Sequence, residues 1–206
     1  MKIKTAIDTL LGNPMIIPDC SRDSLPEFLV ERGCHIGAEV GAHKGEFSAK
    51  FCEAGLTLYA IDPWKAFTGQ GGEQRKQEVQ DGYYEEAKKR LGEYHRCTLV
   101  RRTSMDALEL IPDKSLDFVY IDGNHKFKYI AEDLVEWSKK VRIGGVVSGH
   151  DYYNTPGHAT NTICNVGAVV DAYVKAFDID NWYIFKPDVP KDRINDKVYS
   201  WIWIKG

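Results

Sequence analysis

A chain of 206 residues with 43% hydrophobic and 28% charged side chains is long enough to bury one substantial core and lies outside the compositions of disordered or fibrous proteins. The 27 Lys and Arg against 30 Asp and Glu leave a formal net charge of -3, which excludes a broad electrostatic footprint for nucleic acid or an anionic membrane. The five cysteines (Cys20, Cys34, Cys52, Cys97, Cys164) form no C-x-x-C pair and no zinc-like spacing, so they read as reduced thiols.

No stretch approaches the roughly 18 apolar residues of a membrane span, and the opening MKIKTAIDTLLGNPM lacks a long apolar core followed by a cleavage site. A cytoplasmic single domain over residues 1–206 is the expectation, with a helical N-terminal extension over 1–33 and the core over 34–206.

In chain order, short runs rich in Val, Ile and aromatics alternate with segments of helical period, the pattern of β-α units around a mainly parallel sheet. A helix over Ser24 to Arg32 precedes the strand Ile36 to Val40. A helix over Gly45 to Ala54 leads to the strand Thr57 to Ile61. The helix Glu73 to Leu91, with Lys88, Lys89 and Arg90 on a solvated face, leads to the strand Thr98 to Arg101. A short helix over Met105 to Leu110 precedes the strand Leu116 to Ile121. The next helix, Lys126 to Val141, carries Phe127, Ile130, Leu134, Trp137 and Val141 as a core-facing stripe. The strand Gly145 to Ser148 and the helix Ile163 to Phe177 follow.

The last two strands, Trp182 to Phe185 and Tyr199 to Ile204, are joined by the polar loop Lys186 to Lys197 instead of a helix. Tyr199, Trp201 and Trp203 alternate with Ser200, Ile202 and Ile204, so both faces of the final strand should be buried. That predicts a hairpin inserted antiparallel into the sheet interior.

Three signals carry chemistry. At Ala38 to Ser48 a strand ends in Glu39-x-Gly41-x-x-x-Gly45 and a helix begins; glycines there let backbone approach a ligand, and helix-start amides favour polar or anionic groups. The dinucleotide fingerprint needs a glycine where His43 stands, so a pyrophosphate ligand is disfavoured. Asp62 closes the next strand about twenty residues later, where a carboxylate receives ribose hydroxyls; the alternative is a cap for the following turn before Pro63. Ser104 and Met105 follow the third strand at the rim of an adenine pocket, and Ser104 also fits a helix N-cap.

The ordered set of Glu39-x-Gly41-x-x-x-Gly45, Asp62, Ser104-Met105-Asp106 and DFVYIDGNH, ending in the buried hairpin, resembles the class I S-adenosylmethionine-dependent methyltransferases from Cys34 onward. YIDGNH, a helix and GGVVSGHDY resemble the small-molecule O-methyltransferase branch that includes catechol and macrolide-sugar enzymes. The resemblance implies an α/β fold, a Rossmann-like three-layer sandwich with a seven-stranded, mostly parallel sheet and an antiparallel last strand. It implies S-adenosylmethionine as cofactor, with Glu39, Gly41, Gly45, Asp62, Pro63, Trp64, Ser104, Met105 and Asp122 around it.

In that branch the acidic residues after the fourth and fifth strands hold magnesium, which points to Asp122 and Asp151 as ligands of Mg²⁺ or another divalent cation. His150 stands where the macrolide-sugar enzymes carry a second Asp, which makes it a third candidate ligand of the metal, and Tyr152 where the catechol enzymes supply an amide. His125 stands where the catechol enzymes place a lysine base, which makes it, with Asp122, the catalytic candidate. A histidine-containing site suits transition metals better than Mg²⁺. Read without a metal, Asp122, His125, His150 and Asp151 form a hydrogen-bonded polar floor.

The loops Lys65 to Gln77 and Tyr152 to Thr162, with Tyr153 and His158, are candidate lids. A small-molecule acceptor is expected, without nucleic acid or membrane, and the segment before Cys34 is placed to cover the pocket or pair with a second subunit as a homodimer. The rival reading is a noncatalytic adenosine-ligand-binding or assembly module on the same fold.

Overall fold

The structure is a computed structural model that describes residues 3–66, 76–153, 164–187 and 198–206. Eight strands form one sheet: β1 (Met15–Pro18), β2 (Ile36–Val40), β3 (Thr57–Ile61), β4 (Cys97–Val100), β5 (Leu116–Ile121), β6 (Val141–Gly149), β7 (Trp182–Lys186) and β8 (Ser200–Ile204). Their order across the sheet is β1-β7-β8-β6-β5-β2-β3-β4. β8 lies between β6 and β7 and is antiparallel to both, while the remaining pairs are parallel.

The period-2 alternation of the strands divides the core into two layers. Phe118 and Tyr120 of β5, Phe185 of β7 and Ile202 of β8 face one side. There they meet α1 (Ile3–Thr9), α2 (Leu25–Glu31), α3 (Glu46–Glu53) and α4 (Gln77–Leu91). Val119 and Ile121, Ile184, and Trp201 and Trp203 face the other side. Their partners are α5 (Ser104–Ala107), α6 (Phe127–Lys140) and α7 (Val166–Ala176). The result is the expected Rossmann-like α/β/α sandwich, with the final hairpin buried on both faces.

The structure corrects three details. The sheet has eight strands, because Met15–Pro18 in the segment expected to be helical pairs parallel with β7. This strand is short, sits at the sheet edge with Ile16 exposed, and ends on a proline, so it carries little strand signal. In α6 the stripe is Ile130, Leu134 and Trp137; Phe127 is exposed, and Val141 is buried as the first residue of β6. The helix of residues 73–91 begins at Gln77 among the described residues. Much of the two candidate lids, including His158, lies outside the described residues. All five cysteines are free thiols, and no described helix is long and apolar enough to cross a membrane.

Candidate active site

The glycine turn is shaped by contacts that only glycine permits. Gly41 has φ +99°, and a Cβ there would overlap the carbonyl of Asp122. This close approach packs the end of β2 against the end of β5. Gly45, at φ +73°, is the N-cap of α3. The turn is fastened to the next strand end: Gly41 and Ala42 donate to Ile61 O at 2.8 and 3.1 Å. His43 N donates to one Asp62 oxygen at 3.0 Å and Trp64 N to the other at 2.8 Å.

Asp62 therefore caps this double turn, and each carboxylate oxygen keeps a second lone pair for a ligand hydroxyl. Burial raises its carboxyl above the ordinary range, against the two amides. Pro63 is exposed at the rim. Trp64 is fully buried, donates to His43 O at 2.6 Å and supports the turn from beneath.

Glu39 is buried under the same turn, where it accepts a hydrogen bond from Ser48 Oγ. Burial pushes its carboxyl up to about 8, so the folded protein keeps a proton that the unfolded chain releases. Stability should therefore fall as pH rises from about 4.5 towards 8. Thermal melts of Glu39→Gln and wild type between about pH 5 and 9 check this: the Gln variant's relative Tm should climb across the series, and parallel curves would contradict it.

The N-cap of α5 is Thr103, whose Oγ1 accepts from Asp106 N at 3.2 Å, and this corrects the expectation for Ser104. Ser104 Oγ instead donates to Asp133 and accepts from Trp137 Nε1 at 2.7 Å, tying the half-buried Ser104-Met105 rim to α6. Asp133 is 4% exposed, and burial pushes its carboxyl up to about 6. Its sequence signal was a lone acid on the apolar face of α6.

At the carboxyl ends of β5 and β6, side chains converge from two loops. His125 Nε2 lies 3.0 Å from Asp151 Oδ2 and 3.5 Å from Asp122 Oδ1. It is buried and forms a directed hydrogen bond with neither among the described residues. A nitrogen aimed between two carboxylates without satisfying either is the arrangement of donors around a common centre. Ligand atoms of Asp122, His125 and Asp151 all lie within 4.8 Å of one another, so this set fits a divalent cation.

His150 takes the outer place: its Nδ1 is 3.4 Å from Asp151 Oδ1 and 4.0 Å from Asp122 Oδ2. His125, read from sequence as a base, thus stands in the three-donor cluster in place of His150, read as a ligand. Burial opposes charge on His125, but Asp122 and Asp151 outweigh it and raise its pKa to about 10. Burial likewise raises Asp151, yet His125 and His150 hold its carboxyl below the ordinary range. Tyr152 turns away, donating to Asp171 at 2.6 Å. Tyr153, on the candidate lid, is 37% exposed.

Arg22 completes the rim without having been singled out in the sequence. Its Nη1 lies 3.1 Å from Asp122 Oδ2 and 3.5 Å from Tyr120 Oη, and its guanidinium lies over Phe47 at 4.9 Å. Burial works against its charge, but Tyr120, Asp122 and Glu39 more than compensate and raise its pKa. A separate cavity of about 480 Å³, lined by Tyr173, Phe177, Trp203 and Lys205 among others, opens at the opposite strand ends and shares no residue with this cluster.

Residues 38–152, from the glycine turn to the second carboxylate, match the family described as a methyltransferase domain. The chain belongs to that family.

The uncharacterized protein y4gI of Sinorhizobium fredii is 28% identical to this chain over 120 residues, which cover 55% of this chain and 12% of that protein. The chain thus spans a small fraction of the length of the curated relative it matches. Among solved structures, the O-methyltransferase TomG of Streptomyces achromogenes, involved in tomaymycin synthesis and bound to SAM, is 18% identical with a TM-score of 0.60, over 89% of this chain and 79% of its own. An O-methyltransferase of Bacillus cereus in complex with SAH is 13% identical, with a TM-score of 0.60 over 89% and 80%. An rRNA methylase of Streptococcus thermophilus is 15% identical, with a TM-score of 0.59 over 88% and 93%. At these identities the likeness is one of fold.

Proposed function

We propose that this methyltransferase moves the methyl group of S-adenosylmethionine to an oxygen of a small polar acceptor, with a divalent cation held by Asp122, His125 and Asp151. The observation that carries the reading is the position of that three-donor cluster. It lies beside the glycine turn and Asp62, across strand ends where ligands bind in open α/β sheets. The net charge of -3 favours a small acceptor over a nucleic acid.

Asp62 takes the ribose hydroxyls, the backbone of Gly41 and Gly45 allows close approach, and Pro63, Ser104 and Met105 border the nucleoside. Glu39 and Trp64 support these groups from below. The acceptor oxygen attacks the sulfonium methyl in line, so that an O–CH3 bond forms as the S–CH3 bond breaks and S-adenosylhomocysteine leaves. The hydroxyl proton departs to water at the open rim. When bound, the cation lowers the pKa of an acceptor hydroxyl.

His125 Nε2 cannot be a ligand and a base at once, and its place between the carboxylates favours the ligand role. His150 orients Asp151 from behind. One imidazole with two carboxylates suits Mn²⁺, Fe²⁺ or Co²⁺ better than Mg²⁺. The test is transfer of a labelled methyl group to phenols, catechols and sugar hydroxyls by chelator-treated protein, with Mn²⁺ or Mg²⁺ restored. Transfer should return with Mn²⁺ more fully than with Mg²⁺. Full activity in the chelator would overturn the metal role, and failure to bind S-adenosylhomocysteine would overturn the donor site.

A further inference from the structure

The donor's sulfur is a branch point with three arms: the ribose, the methyl group and the amino-acid chain. Accepting the donor site proposed above, the ribose lies at Asp62 and the methyl group points to Asp122 and Asp151. The Ser104-Met105 rim belongs to the layer of α5 and α6, so the adenine occupies that face. The amino-acid arm must then leave towards the opposite layer, where Phe47 and Tyr120 lie.

Arg22 stands there. It sits in a 3-10 turn over Arg22–Ser24, capped by Ser21, and its neighbour Asp23 pairs with Lys50 of α3 at 2.5 Å. This fastens the N-terminal segment over the helix that begins at the glycine turn. The guanidinium lies over Phe47 and touches Asp122 through Nη1. Its side chain is 26% exposed, and of the five N–H donors a guanidinium offers, the contacts to Asp122 and Tyr120 both use Nη1. Arg22 and Asp122 thus present a positive and a negative group side by side, the complement of an amino acid's carboxylate and ammonium.

We propose that Arg22 binds the α-carboxylate of the donor's amino-acid arm, with Asp122 facing its ammonium. A bidentate match between guanidinium and carboxylate gives this contact both strength and direction. It makes the N-terminal segment part of the cofactor site, although the family match begins only at residue 38.

The test compares two ligands by calorimetric titration of the full chain. S-adenosylhomocysteine carries the amino-acid arm; 5′-methylthioadenosine has the same adenosine and sulfur without it. Losing a charge-assisted hydrogen bond weakens binding by roughly 10- to 100-fold. Arg22→Gln should therefore weaken S-adenosylhomocysteine by about that factor while leaving methylthioadenosine unchanged, with Arg22→Lys between. Retained methylthioadenosine binding also shows that the variant is folded. Equal weakening of both ligands, or unchanged S-adenosylhomocysteine affinity, would overturn the assignment. If wild type binds neither, the donor site itself is wrong and Arg22 falls with it.

Discussion

Replacing Asp151 with Asn should cut methyl transfer by roughly 10²- to 10³-fold, the scale on which one preorganised electrostatic group at a reacting centre acts. Asp151 follows β6 in the left-handed region, at φ +56°. Asn has the same shape and tolerates that backbone as well as Asp does, so the substitution removes the charge and leaves the turn. Asp151 is held ionised against its burial by His125 and His150, and those two rings lose their shared partner in the variant. Affinity for Mn²⁺, measured by titration of the free protein below the lowered Tm that loss of this partly buried ion pair brings, should fall together with turnover. If turnover falls and cation affinity does not, Asp151 serves the acceptor directly; if neither moves, the cluster is only a polar floor.

Much of this arrangement is legible in the sequence because it depends on local rules. The glycine turn declares itself because positions 41 and 45 need positive φ, and Asp62 follows at the interval set by one helix and one strand. The hairpin declares itself because β8 has apolar residues on both faces and no helix before it. What sequence does not reveal depends on where distant segments return. Arg22 lies between Ser21 and Asp23 and reads as a solvated loop; the burial of Leu25, Phe28 and Leu29 in the core layer of α3 carries its turn to Asp122. β1 has four residues, and it is a strand because β7 offers a free edge. His125 rather than His150 joins Asp122 and Asp151 in the three-donor cluster because ring direction, which spacing does not encode, puts one imidazole between the carboxylates and the other against Asp151. Thr103 and Ser104 differ by one position along the chain, enough to turn one hydroxyl to the helix start and the other into α6.

Trp201→Ala should cost about 3–5 kcal/mol of stability, the range for truncating a buried aromatic, and lower the Tm by roughly 6–20 °C for a domain of this size. The indole is fully buried in the centre of β8 and stacks on Trp203 at 5.1 Å between ring centroids. Across the register it faces Gly149, where any Cβ would collide with the ring. Trp201 Nε1 also donates to His150 O at 3.2 Å, so the hairpin core grips the segment that presents Asp151. Trp201→Phe separates the two duties, because it keeps most of the packing and deletes the donor. Its stability loss should be near 1 kcal/mol, yet turnover should fall by more than that change in folding explains, since the His150 backbone loses its fixed partner. Melting curves and kcat for the two variants distinguish the cases. A Phe variant with full turnover would confine the hairpin to the core, whereas a slow, well-folded one would make its tryptophan a positioning residue for the carboxylate.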